Sequence, residues 1–394
     1  MSTKPLPKSS CPDTLGASAR LAWATIMGEP SDGIPSGPLV HVMEHRMIDR
    51  LAGVPPQAYA ANPDQVYMEM ERRIGVCMID QYLALNPLTM GASGYGDDKP
   101  RGATTGLERI EADGMLIDSP EAVVAHLEHI VLPALQTRLR DIESDPETYI
   151  CHRVRELAGK ERARQDEFGP DILKVPFACA KFPTLKYGRY GYENYFMAYA
   201  LYPEVMEKEF SLEGDLAVWN NRAVVRACAE HNLPPLIRLD HDMADSRGTL
   251  VDIKSLDKLW FPNFTRAIAP LVDSPVKLIW HCDGNLMQMV PRLLEAGLDG
   301  FQGFQYEDGM DYERICKMQT RDGRSLLIQA GVSVTRTLPL GTPDDVRKEL
   351  RWLVENGPET GLFLGASSSI APGVPWENLQ AFVEGLQYYR QHGR

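Results

Sequence analysis

The chain has 394 residues, with 54 Asp and Glu against 41 Lys and Arg, a net charge of −13. Hydrophobic residues make up 44% and charged residues 24%, a globular composition that excludes disordered and collagen-like chains. The negative surface repels phosphate and speaks against nucleic acid or anionic membrane as partners, and no run of about 18 apolar residues offers a membrane span. The first twenty residues lack the apolar core of a signal peptide, and the seven cysteines form no CxxC pair. Reduced thiols and a cytoplasmic location are expected.

Residues 1–35, rich in Ser, Pro and Gly, read as a tail or a strap over the surface. Residues 36–394 read as one domain. Within it, 38–43 is a candidate buried strand. Tyr67, Met68, Met70 and Ile74 stand at helical spacing within 62–85, and 86–105 reads as a loop. Ser119-Pro-Glu opens a strong helix with an N-cap, a proline at the first position and an early acid. Another helix is expected over 147–167 and a buried strand over 173–180.

Beyond this point the pattern alternates. Helical stretches at 196–231, 255–271, 286–296, 310–321, 342–356 and 376–390 are interleaved with strands at 235–240, 276–281, 300–304, 325–329 and 361–365. Successive βα units with short loops predict a parallel sheet. Each strand ends in polar or small residues, which a (β/α)8 TIM barrel gathers at one mouth. A doubly wound sheet would also bind at its strand ends, but no GxGxxG follows the first strand. The fold expected is an α/β barrel with N-terminal helical additions.

The densest polar cluster is Asp240, His241, Asp242 and Asp245. Alternation along a strand puts Asp240 and Asp242 on one side, where two carboxylates can bind a cation or move a proton. They are the candidate catalytic acids; the alternative is that Asp242 or Asp245 caps the next segment. His281 and Asp283 share a face in the same way and form a candidate metal pair, while Cys282 points into packing. Glu307 is a candidate third ligand or base, or else a loop acid. Asn285 and Gln305, also at strand ends, are candidate substrate contacts. The stretch Lys186–Tyr195 holds four tyrosines and an arginine, a mix that suits a loop over a planar or anionic substrate. Tyr187, Arg189 and Tyr192 are its candidate contacts; a packed surface loop is the alternative. Ser367–Ser369 lack a GxSxG context, and no P-loop or HExxH is present.

From Pro235 onward the chain resembles the uroporphyrinogen decarboxylase-like superfamily. The residues that carry the resemblance are His281-Cys-Asp-Gly-Asn285, Leu294-Glu-Ala-Gly-Leu-Asp-Gly300, Gln329-Ala-Gly-Val332, Leu340-Gly-Thr-Pro-Asp-Asp-Val346 and the ending Gly365-Ala-Ser-Ser-Ser-Ile-Ala-Pro-Gly-Val-Pro-Trp-Glu-Asn378. The resemblance implies a (β/α)8 barrel and two kinds of enzyme: a porphyrinogen decarboxylase without cofactor, and cobalamin-linked methyltransferases that commonly use zinc. The decarboxylase's Gly-Arg-Tyr motif lies near its N-terminus, whereas here Gly188-Arg-Tyr190 is mid-chain. The zinc methyltransferases carry His-x-Cys at the strand end and a second Cys near the C-terminus. This chain matches the histidine with His281 but has Asp283 and Ser368 in place of the thiolates.

The resemblance therefore implies a corrinoid-linked methyltransferase acting on a small methylated, most simply methoxylated, compound. The methyl group passes to cobalamin on a partner protein. His281, Asp283 and Glu307 would hold a divalent metal such as zinc or protonate the leaving oxygen, assisted by Asp240 and Asp242. A homodimer is compatible with this reading. The rival is a cofactor-independent decarboxylase or lyase in which Arg189 or Arg238 pins a small carboxylate. A barrel that only binds a ligand or corrinoid partner is a third reading.

Overall fold

In the computed structural model, residues 10–37, 40–89 and 109–394 are described. Seven strands line up in parallel: β1 (Met78–Ile79), β2 (Leu173–Lys174), β3 (Leu236–Asp240), β4 (Lys277–His281), β5 (Gly300–Gln302), β6 (Leu327–Val332) and β7 (Leu362–Ala366). β3 to β7 form one sheet in chain order. Phe177, just past β2, bridges Arg238 of β3, and β1 pairs with β2. The eighth position is the segment 35–37. Leu364 N–H donates to Pro35 O at 3.0 Å, Gly37 N–H to Leu364 O at 2.9 Å, and Cys77 N–H to Ser36 O at 2.9 Å. These bonds join β7 back to β1 and close an eight-position barrel. Gly37 has φ 122, and a Cβ there would lie 2.1 Å from Met78 O, so glycine is what lets the two segments approach.

Helices wrap the outside. The first is α1 (Ala17–Met27), which lies inside the stretch read as a tail or strap. Its Ala19, Ala22, Trp23 and Ile26 are buried against Met78, Leu173, Leu236, Ile279, Leu327 and Phe363. These residues belong to the strands and form an apolar floor, which α1 seals from below. These four residues stand at i, i+3, i+4 and i+7, the spacing of one helix face; the Ser, Pro and Gly content of 1–35 as a whole led to the expectation of a tail, and the apolar Ala17, Leu21, Ala24 and Met27 on the other sides blur the face.

Further differences from the expected elements have local causes. The helix predicted over 62–85 is α2 (Pro63–Ile74) and stops at Gly75, whose φ of 84 caps it; Val76–Ile79 then enters the barrel as β1. The helix opened by Ser119 runs from Pro120 to Ser144 with a π turn at Leu127–Val131. Its N-cap is as expected, with Ser119 Oγ accepting from Ala122 N–H at 3.2 Å. A second π turn, Leu256–Trp260, precedes Pro262 as the first precedes Pro133. A proline supplies no N–H, so the ladder slips by one residue there. Next come α3 (Pro146–Phe168), α4 (Tyr192–Leu201) and α5 (Pro203–His231), the last two divided at Pro203. The helix predicted over 310–321 is only Tyr312–Cys316. The candidate strand at 38–43 is reduced to a bridge from Val42 to Ile370, and Pro38 and Leu39 lie outside the described residues. So does the expected loop from residue 90 to 105. No described helix is long and apolar enough to cross a membrane.

Candidate active site at the barrel mouth

Register sets the height of each strand-end side chain. Asp240 pairs with His281, His281 with Gln302, and Gln302 with Gln329. One polar row thus crosses four neighbouring strands. On the same face, Ile279 and Leu327 two residues earlier and Leu236 four residues earlier belong to the apolar floor, as period-two alternation along a strand requires; on β3 the intervening residue is Arg238.

Above the row, ligand atoms of Asp242, His281 and Asp283 all lie within 4.8 Å of one another. His281 is buried, and its Nδ1–H donates to Gln302 O at 3.3 Å. That bond fixes the tautomer and leaves the Nε2 lone pair free. Burial, reinforced by the Arg238 charge, pulls the His281 pKa down to about 4, so the ring is neutral at physiological pH. Burial first, and then the charges of Asp242 and Asp240, push the Asp283 carboxyl up to about 7. The Ser368 hydroxyl donates to it in opposition. Gln305 approaches Asp283 Oδ1 through Nε2 at 3.4 Å and accepts from Gly284 N–H at 2.7 Å. Asp283 N–H donates to Asp242 Oδ1 at 3.1 Å, tying the β3 and β4 ends together. At Gly303 (φ 74) a Cβ would stand 2.9 Å from His281 Nδ1, so this turn leaves room for the ring.

Beside this group lies a buried ion-pair network that sequence reasoning missed. Arg238 donates to Asp80 Oδ2 at 2.7 Å, to Asp240 Oδ2 at 2.9 Å and to Gln81 Oε1 at 3.0 Å. Burial alone would raise Asp80, yet the guanidinium leaves its carboxyl below the ordinary value. The signal for Asp80 was present, since Val76–Ile79 is an apolar run ending in polar Asp80-Gln81. It was obscured by reading 62–85 as one helix. Asp240 is raised, first by burial.

The expected residues divide as follows. Asp240, Asp242, His281 and Asp283 come together. Glu307 does not join them: its Oε1 accepts from Ser333 Oγ at 2.7 Å and Thr335 Oγ1 at 2.5 Å. After β5 the chain turns at Gly303 into a short 3-10 turn, Tyr306–Asp308, which carries Glu307 towards the β6 end. Asp242 takes the third place instead. Asp245 forms a turn, accepting from Arg247 N–H at 2.8 Å, and His241 Nε2 accepts from Leu185 N–H at 2.9 Å. Cys282 is buried, as expected.

The tyrosine-rich stretch is not an open loop but a helical turn, Tyr187–Tyr190, followed after Gly191 by α4. Tyr187 OH donates to Asp242 O at 2.8 Å, and Tyr192 packs on Tyr187 with ring centres 4.7 Å apart. These two border the site. Tyr190 and Tyr195 are core residues. Arg189 turns to Asp113 Oδ2 at 2.6 Å. Asn285 Oδ1 accepts from Met287 N–H at 3.1 Å within its own turn, so it and Gln305 shape the site's framework. Both arginines of the lyase reading, Arg189 and Arg238, are thus taken by carboxylates.

Residues 241–389 match the family model described as uroporphyrinogen decarboxylase (URO-D). No curated protein matches the chain. Among solved structures, the fold is similar to that of a methyltransferase from Methanosarcina mazei at 16% identity and a TM-score of 0.52, covering 94% of this chain and 98% of the other. A B12-independent methionine synthase from Shewanella sp. W3-18-1, in complex with selenomethionine, is similar at 12% identity and a TM-score of 0.38, covering 60% of this chain and 65% of that one. The matched region contains His281, Asp283 and the Ser368 turn; in it the chain is similar to the uroporphyrinogen decarboxylase family, and over most of its length its fold is similar to that of the Methanosarcina mazei structure.

Proposed function

We propose that the protein is a methyltransferase that takes the methyl group of a small methoxylated compound and passes it to a reduced corrinoid held by a partner protein. The observation that carries this reading is the Asp242–His281–Asp283 group at the barrel mouth. The family match over the same residues and the likeness in fold to a methyltransferase support the reaction class. Exposed apolar side chains on α4, Met197 and Leu201, stand on the helix that brings Tyr192 to the site and suit a protein partner.

The three donors fit a divalent cation. They offer one neutral imidazole and two carboxylates that crowd each other until a positive charge is shared. Zinc accepts such a set, as do harder cations, given that oxygen donors replace thiolates. Asp242, His281 and Asp283 would hold the ion, which supplies Lewis acidity towards a departing oxygen. Ser368 and Gln305 orient Asp283, and the Gln302 carbonyl orients His281. Tyr187 and Tyr192 flank the donor and keep water from one side. A reduced corrinoid would supply the electron pair that takes the methyl group, and the departing oxygen would keep the bonding pair. Asp240, whose pKa burial raises against the pull of Arg238, would return a proton to that oxygen.

The test is methyl transfer to cobalt, followed by the corrinoid's visible spectrum with a panel of methoxylated aromatics and methylated amines. Spectral change with a methoxylated donor, absent without the chain, is the expected result. No change with any donor, together with carbon dioxide release from a small carboxylate, would replace this reading with the lyase.

A further inference from the structure

A cleft of about 1050 Å3 starts at Arg238–Asp240, passes Phe177 and Ala178, and reaches the helix Leu132–Ser144, α3 and α5. Its two ends differ in charge. At the inner end Arg238 is matched by Asp240 and Asp80. Beyond it stand Arg138, His152, Arg153 and Lys181, both arginines close enough to act on the lysine, with Lys186 nearer His241 and the β3 end. Glu156 takes Arg153 at 2.7 Å and Glu213 takes Lys186 at 2.6 Å. Arg138 and Lys181 have no ion-pair partner among the described residues. Burial lowers the Lys181 pKa, and the nearby charges of Arg153, Arg138 and Lys186 lower it further.

Cations left facing one another around a cavity repel, and a bound anion relieves that repulsion. A local excess of positive charge in a chain of net −13 runs against the molecule's own field. Apolar walls are supplied by Leu135 and Ile142 on either side of Arg138, and by Phe177, Phe182 and Leu216. Ala178, in that wall, holds φ 54, a left-handed backbone that a non-glycine residue keeps only where its surroundings impose it.

We infer that this cleft binds an extended organic anion, with its acid group at Arg138 and Lys181, its apolar body along the walls and its far end at the β3 strand end. The claim that the far end carries the methyl group rests on the proposed methyl transfer; the anion site does not. The methyl donor is then an aryl or alkyl acid rather than a neutral ether.

The experiment is titration calorimetry on the full chain with 4-methoxycinnamate and its uncharged analogue 4-methoxycinnamyl alcohol. The acid should bind about ten-fold or more tightly than the alcohol, the scale of a charge-assisted contact. Lys181→Gln and Arg138→Gln should each weaken the acid several-fold and leave the alcohol unchanged, and Lys181→Arg should restore it. Both side chains are largely exposed, and melting curves check that the variants fold. Asp283→Asn should lose methyl transfer yet still bind the acid. If transfer fails in the wild type while the acid binds selectively, the reaction reading falls and the anion site stands. Equal binding of acid and alcohol, binding of neither, or a double Gln variant that binds the acid like the wild type would overturn the anion site.

Discussion

Ser368 acts on the site through a neighbour: its hydroxyl donates to the Asp283 carboxyl. A group that orients a ligand typically controls 10–100-fold in metal affinity. Ser368→Ala should therefore weaken cobalt(II) binding, read from its visible absorption, by about 10-fold or more, with little change in melting temperature. Glu209 is a second informative residue. It is buried beside Glu213, and burial pushes its pKa up to about 8, against about 4.3 unfolded. The folded state keeps the proton longer, so this group's stabilising contribution is full below pH 4.3 and lost as pH rises through about 8. Glu209→Gln removes that dependence. Melting temperatures between pH 5 and pH 8.5 should fall less steeply for the variant than for the wild type.

At the scale of elements, α1 and the β-strands meet in an apolar floor away from the reacting groups. Trp23 is 3% exposed and packs among strand residues. Trp23→Ala should cost about 3–5 kcal/mol, as buried aromatic truncations do, read by urea unfolding, while the mouth keeps its metal affinity. The strands from β3 to β7 were legible because each is a run of apolar residues with a polar end. β2 was expected within 173–180 and keeps only Leu173–Lys174 in a regular ladder. β1 was not legible, since it too keeps only two residues and Gly75 divides helix from strand without breaking the hydrophobic run. His281 and Asp283 followed from strand alternation. Alternation failed for Glu307 because Gly303 bends the backbone directly after β5, and nothing in the spacing of 303–308 reports where that bend leads. Asp242 lies past the regular end of β3 and was read as an acid. Its place beside His281 comes from Asp283 N–H bonding its carboxylate, a contact between strands that one chain segment does not reveal.

At the scale of the molecule, stability and chemistry sit at opposite ends. The floor and the helices hold the barrel, and the mouth holds two carboxylates that repel each other. Under the proposed function, a divalent ion held there would be a stabilising ligand of the native state, with the fold resting on the floor and the helices. Dialysis against a chelator should abolish methyl transfer and lower the melting temperature by a few degrees, as loss of a native-state ligand does, while the far-ultraviolet circular dichroism stays unchanged. Collapse of the dichroism would make the ion structural instead.

The helix that seals the floor also bears on the order of traffic. With α1 closing the far end of the barrel, Asp242, His281 and Asp283 are approached from the side of the mouth. Under the proposed methyl transfer, an acceptor carried on a protein would cover that side, so the donor would enter before the acceptor docks and the demethylated product would leave after the acceptor departs. A barrel with one door and a lid that is itself a reactant would run as a stack: first in, last out.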